Sequence, residues 1–146
     1  ASIQAMLDRN DGGEMFGKVR LEMGETMNEH LAVFRRREGM ESALSAIAGL
    51  KDRYSRVVVR DKGKTYNTNL ILTLELGFML ECAEAITVSA LERKESRGAH
   101  TRSDMPGRDD EEWLKHIAVT KALDNQPTIS HKPVVITQWQ PEARVY

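Results

Sequence analysis

The sequence predicts a mainly α protein, a three-helix antiparallel bundle with a small C-terminal β-hairpin-like tail. Three observations carry that expectation. Apolar residues recur at steps of three and four in three separate stretches, turn-rich segments join those stretches, and β-branched pairs replace the helical spacing in the last third. Each helix could bury its stripe only against the other two, which is the logic of a small bundle.

From about Glu14 to Arg36 the residues Phe16, Val19, Met23, Met27, Leu31 and Phe34 fall on one helical face, a spacing that predicts the first long helix. Ile3, Met6 and Leu7 suggest a helical turn before it, and Asp11-Gly12-Gly13 reads as a loop between the two. After a break at Gly39, Met40, Ala43, Leu44, Ile47 and Leu50 predict a second helix ending near Arg53 and packing antiparallel to the first. Tyr54 to Tyr66 mixes the β-branched Val57-Val58-Val59 with the turn signal Asp61-Lys62-Gly63-Lys64, so its form stays open. Asn67 or Thr68 can cap the third helix with a side-chain oxygen. Leu70, Ile71, Leu74, Phe78, Cys82, Ala85, Ile86 and Val88 then carry a stripe towards Arg97, with Gly98 as the left-handed residue that closes the helix. Ile117 to Thr120 and Val134 to Thr137 read as two short strands, the second bracketed by Pro133 and Pro141, with Leu123 to Lys132 connecting them.

At 146 residues the chain has the size of one domain, residues 1–97 forming the bundle and 98–146 a polar loop and short-stranded tail packed on it. No apolar run approaches the roughly 20 residues of a bilayer span. The start at Ala1-Ser2-Ile3-Gln4 has neither an initiator Met nor a leader pattern and reads as a cut or processed end. Lys and Arg number 21 against 22 for Asp and Glu, so bulk charge draws the protein to neither nucleic acid nor anionic lipid. The only cysteine, Cys82, is expected as a small buried hydrophobe, which excludes a disulfide framework and suits a reducing, cytoplasmic compartment.

Polar residues concentrate between Arg93 and His116, where basic and acidic side chains alternate and cancel. A self-paired polar network is expected there, because a nucleic-acid site would be one-signed and would carry aromatic platforms beyond the lone Trp113. His100 and His116 lie too far apart in sequence for metal-ligand spacing, and Cys82 has no partner cysteine. Ser96 sits beside Glu95 and near His100 without the glycine-flanked elbow of a nucleophile. Asp104 and Asp109 could in principle share acid and base work, but without a recognisable cleft they read as turn and capping residues. Asp109 and Asp110 in particular suit the N-cap of a short turn running into Trp113. Two readings stay open for Arg97, His100 and Arg102: a basic helix end favoured by the helix dipole, or a surface whose planar guanidinium groups dock another domain. Arg97, His100, Arg102, Asp104, Arg108 and Asp109 are the candidate interdomain docking residues.

Arg93-Lys94-Glu95-Ser96-Arg97-Gly98-Ala99-His100-Thr101-Arg102-Ser103-Asp104, with Pro106, Arg108-Asp109-Asp110, Trp113 and Lys115-His116, resembles the C-terminal signature of succinate dehydrogenase and fumarate reductase flavoprotein subunits. Asn67-Thr68-Asn69-Leu70, Glu75-Leu76-Gly77 and the closing Pro141-Glu142-Ala143-Arg144-Val145-Tyr146 extend the resemblance over most of the chain. It implies a three-helix bundle with a strand-containing tail, in a parent subunit that exchanges hydride between FAD and the succinate/fumarate pair. It also implies electron transfer to an iron–sulfur subunit, at the inner face of the cell membrane through anchor subunits. The family's flavin-binding and catalytic motifs belong to earlier domains, and no Gly-x-Gly-x-x-Gly loop occurs here to hold a flavin pyrophosphate. The chain is therefore expected to pack on the flavin-binding domain, to bind no cofactor itself and to be inactive alone. L-Aspartate oxidase carries a similar Glu-Ser-Arg-Gly stretch and is the nearest alternative; a free-standing helical adaptor is another.

Overall fold

The computed structural model describes residues 3–9, 12–123 and 125–142. Ala1, Ser2, Asn10, Asp11, Asp124 and the closing Ala143 to Tyr146 lie outside that set, so the Asp11 part of the expected loop and the terminal Arg-Val-Tyr of the resemblance have no structural account. The fold is mainly α with a few short strands. Its order is α1 (Ile3–Leu7), α2 (Phe16–His30), β1 (Phe34–Arg35), α3 (Arg37–Tyr54), α4 (Thr68–Glu92), β2 (Thr101–Arg102), β3 (Lys115–Lys121) and β4 (Pro127–Pro133).

Helices α2, α3 and α4 pack on one another. Val19 and Met23 of α2, Ile47 and Leu50 of α3, and Leu76, Leu80 and Ala83 of α4 form the main core, and Val57 of the α3–α4 connection fills it. Burying a side chain such as Ile47 or Leu80 contributes roughly 1.5–3 kcal/mol, so this cluster dominates cohesion. The open Tyr54–Tyr66 segment is therefore an irregular strap whose Val57 and Val59 are fully buried. Ion pairs tie the helices at their rims: Arg53 binds Glu14 and Glu22, and Lys51 reaches Glu84 at 2.7 Å. Asn67 caps α4 by accepting the Leu70 N–H at 2.8 Å, while its amide donates to the Asp61 and Gly63 carbonyls.

Several expectations need correction. The first long helix stops at His30; the chain leaves it because the Val33 and Arg35 carbonyls accept backbone hydrogen bonds from Thr101 and Ser103, and Phe34, expected in the core, is 74% exposed. Gly39 breaks nothing: α3 starts at Arg37, and a side chain at Gly39 would crowd the His30 ring at 3.2 Å. In α4 the buried face is Thr73, Leu76, Leu80, Ala83, Thr87 and Ala90, whereas Ile71, Phe78, Cys82 and Ile86 face outward. That helix is apolar all round, so its pattern cannot select a face. Its two buried threonines return their hydroxyls to the Asn69 and Ala83 carbonyls and so tolerate the core. Helix α4 ends at Glu92, and Gly98 has a positive φ of 59° for a different reason: it turns the chain between Arg97 and His100, whose backbones pair.

The tail is an antiparallel hairpin, β3 paired with β4 from Lys115 opposite Pro133 to Lys121 opposite Pro127. The first strand falls where the sequence predicts it. The second does not, because a tight turn closed by Ala122 and Gln126 and by Asn125 in a left-handed conformation sets the register early; Val134 to Thr137 follow outside the strand. The hairpin lies on α4, with Lys121 and His131 paired to Glu81 and Glu92.

Candidate functional site

The parallel pairing of β1 with β2 sets Arg35 opposite Arg102 and brings the start of α3 against the loop after α4. Beyond Glu92 the chain is extended at Arg93, and side chains two positions apart can then share a side. Arg93 and Arg97 both close on Glu95, which is 1% exposed. One Glu95 oxygen accepts from Arg93 at 2.5 Å and from Arg97 Nε at 2.6 Å; the other accepts from Arg97 at 3.1 Å and from the Asp109 N–H at 2.7 Å. Burial alone would raise the Glu95 carboxyl, but the hydrogen bonds from Arg97, Asp109 and Arg93 hold it below the ordinary carboxylate value.

The network extends in two directions. Outward, Arg97 also binds Asp110 at 2.5 Å, and Arg108 bridges Asp110 at 2.7 Å to the Glu142 carbonyl at 2.5 Å. Asp109 caps the turn it was expected to cap, accepting the Glu111 and Glu112 N–H groups at 3.0 and 2.9 Å. Inward, Arg102 is wholly buried, donating twice to Asp104 at 2.7 and 2.6 Å and once to the Arg93 carbonyl at 3.0 Å. Asp104 in turn accepts the Arg37 N–H at 3.3 Å, standing in for the side-chain cap that Arg36 does not provide at the start of α3. The Ser96 hydroxyl accepts the Arg102 N–H and donates to the Met105 carbonyl, so it braces the loop. Trp113 is buried under Arg93 and Lys115, whose charged ends lie 5.5 and 4.5 Å from its ring centre, and the Arg93 guanidinium also holds the Trp113 and Lys115 carbonyls.

The self-paired network expected between Arg93 and His116 is thus present, and Asp104 and Asp109 serve separate structural partners. Sequence assigned no role to Glu95, at the centre of the network, or to Arg35, which stands beside it. The Arg-x-Glu-x-Arg spacing of Arg93, Glu95 and Arg97 was the available signal for the first; nothing local signals Arg35. Among the described residues no three of His, Cys, Asp and Glu are grouped as a metal ion would require, and no helix is long and apolar enough to cross a membrane.

His100 sits where Arg35 donates to its Nδ1 at 2.8 Å, which leaves the proton on Nε2, a buried atom without a partner. Burial and the nearby Arg35, Arg102 and Arg93 push its pKa down to about 4. Unfolded, the same ring takes up a proton as pH falls through about 6.5, whereas the folded ring stays neutral until about 4. Stability from this group is therefore complete above about pH 7 and declines as pH falls to about 4. Allowing for solvent screening, the span is roughly 2 kcal/mol. Thermal unfolding of the chain at pH 7.5 and pH 5 should show a little over half of that span, about 1 kcal/mol, and His100→Gln should flatten it; equal pH slopes in both proteins would contradict this account. Arg35, Arg97, His100 and His116 also line an open cleft of about 560 Å³, together with Ile86 and Val119.

Residues 20–146 match the family described as fumarate reductase flavoprotein C-term. The chain is 43% identical over 140 residues to the fumarate reductase flavoprotein subunit of Haemophilus influenzae, covering 96% of this chain and 23% of that protein. It is 34% identical over 142 residues to the succinate dehydrogenase flavoprotein subunit of Rickettsia conorii, covering 93% of this chain and 24% of that one. Among solved structures, FrdA from a variant of Escherichia coli quinol fumarate reductase superposes with a TM-score of 0.89 at 39% identity, covering 97% of this chain and 25% of that chain. The chain spans about a quarter of the length of the relatives it matches.

Proposed function

We propose, from the premise that this chain belongs to the fumarate reductase flavoprotein C-terminal family, that it is the structural and docking domain of an FAD-dependent subunit interconverting succinate and fumarate. In this reading α2, α3 and α4 make a three-helix antiparallel bundle that packs on the flavin-binding domain of the same subunit. The subunit passes electrons to an iron–sulfur partner and sits at the inner, cytoplasmic face of the membrane through anchor subunits. The observation that carries the reading is the ionic network around Glu95, which spends one buried carboxylate and several arginines on fixing the shape of a loop. A loop held that rigidly suits presenting a fixed surface to a neighbour.

Of the six candidate docking residues, Arg102 is enclosed within the chain and Asp104 and Asp109 are engaged in capping, so they act by shaping the surface. Arg97 and His100 line the cleft, and Arg108 stands at the exposed edge. FAD does not fit this chain. Among the described residues its one parallel pairing is two residues long, and none of them forms a glycine-rich loop leading from a strand into a helix N-terminus to cradle a pyrophosphate.

The test is a flavin absorbance spectrum of the purified chain beside one of the complete subunit. The expected result is no flavin band in the first and a clear band in the second. Stoichiometric FAD, or succinate turnover, in residues 1–146 alone would sink the proposal.

A further inference from the structure

Arg35 differs from the other arginines around this cleft. Arg93, Arg97 and Arg102 each bind a carboxylate. Arg35 donates Nε to the Ala32 carbonyl at 2.7 Å and a terminal nitrogen to His100 Nδ1 at 2.8 Å, both neutral, and no carboxylate among the described residues pairs with it. Burial alone pulls its pKa below the ordinary arginine value. A partly desolvated charge without a counter-charge is unfavourable unless something supplies one.

The surroundings indicate the kind of counter-charge. The cleft that Arg35 lines also takes in Ile86 and Val119, and a second cleft of about 430 Å³ adjoins it by sharing Ala85 and Val119; Phe78, Cys82 and Pro127 line the second, and its carboxylates Glu81 and Glu84 are already paired with Lys121 and Lys51. Ile71, Phe78 and Ile86 on this outer face of α4 are 56%, 70% and 49% exposed. Residues 71, 78, 82 and 86 follow helical spacing, so the basic cleft opens into an apolar stripe several turns long. A small free anion would meet the charge and leave the stripe in water; a polypeptide can cover both.

We propose that the Arg35 cleft is a socket for an Asp or Glu side chain of the flavin-binding domain of the same subunit, seated along the outer face of α4. This rests on the docking reading above and names its anchor: one carboxylate on Arg35, flanked by apolar residues lying along Ile86, Phe78 and Ile71. His100 has a positioning role, since its neutral Nδ1 holds the guanidinium towards the cleft without neutralising it.

The complete subunit provides the test. Arg35→Lys keeps the charge and offers an amine that a water-soluble carbodiimide joins to a carboxylate in contact with it. The expected product is a cross-linked peptide connecting position 35 to an Asp or Glu outside residues 1–146. A link only to a carboxylate within residues 1–146, or no link in a protein whose circular dichroism matches the unmodified subunit, overturns the proposal. Ile86→Glu gives an independent reading, because it changes an exposed residue and places a competing carboxylate at the mouth of the cleft. It should speed flavin loss from the subunit about tenfold, the equivalent of about 1.4 kcal/mol of docking, without lowering the melting temperature of the isolated chain. Unaltered flavin loss would also overturn the socket. The flavin spectra of unsubstituted chain and subunit do not depend on Arg35, so a failed socket and a failed docking reading are told apart.

Discussion

Glu95→Ala is expected to destabilise the chain by about 3 kcal/mol, the value typical of stripping the partner from a buried ion pair. Glu95 is the sole carboxylate serving Arg93 among the described residues, and it receives four hydrogen bonds while only 1% exposed. Without it Arg93 retains only carbonyl acceptors, Arg97 retains Asp110, and the Asp109 N–H loses its acceptor. The remaining partners keep the loss near the lower end of the range. Glu95→Gln separates charge from shape: its oxygen can still accept, but its amide nitrogen must face an N–H donor, so it should fall between wild type and Ala. Urea unfolding followed by circular dichroism measures both, and the Ala change should lower the melting temperature by roughly 6–12 °C. A loss below about 1 kcal/mol would mean that the network is ornamental to the fold.

The same network shows how far sequence reasoning reaches. The stripes of α2 and α3 were legible because each has one apolar and one polar face, and Val19, Met23, Met40, Ala43, Ile47 and Leu50 are buried as their spacing implies. The start of α4 was legible because Asn67 is a short side chain with a carbonyl oxygen at the right place. The face of α4 was not. With Leu, Ile, Phe and Met on every side, periodicity has nothing to contrast, and the choice was made by the partners that α2 and α3 present.

The strands mark the other boundary. β1 and β2 are two residues each, and their partners lie 67 positions apart in sequence, so only the assembled fold reveals them. For β4 the local signal pointed to the wrong segment. Val134-Val135-Ile136 has the stronger β propensity, but the turn at Ala122 to Gln126 sets Ile129 opposite Val119. Val135 is left 81% exposed, a residue whose propensity was real and whose partner was absent.

Arg102 yields the second large effect and an ordering that tests its cause. Arg102→Ala should cost about 3–5 kcal/mol, since it opens a cavity and leaves Asp104 and the Arg93 carbonyl without their donor. Arg102→Met fills most of that volume without a charge, and Asp104, whose side chain is 29% exposed, can turn to water. Its loss should be smaller, about 1–2 kcal/mol. Asp104→Ala runs the other way: the guanidinium it abandons is wholly buried and cannot reach water, and the first turn of α3 also loses an acceptor for the Arg37 N–H. It should therefore cost more than Arg102→Met, even though Asp104 is the more exposed partner. Equilibrium unfolding of the three variants gives the ranking, and a double-mutant cycle on Arg102 and Asp104 should return a coupling of about 2 kcal/mol or more. If Asp104→Ala proved milder than Arg102→Met, the buried guanidinium would not depend on its carboxylate, and the ionic account of this region would fail.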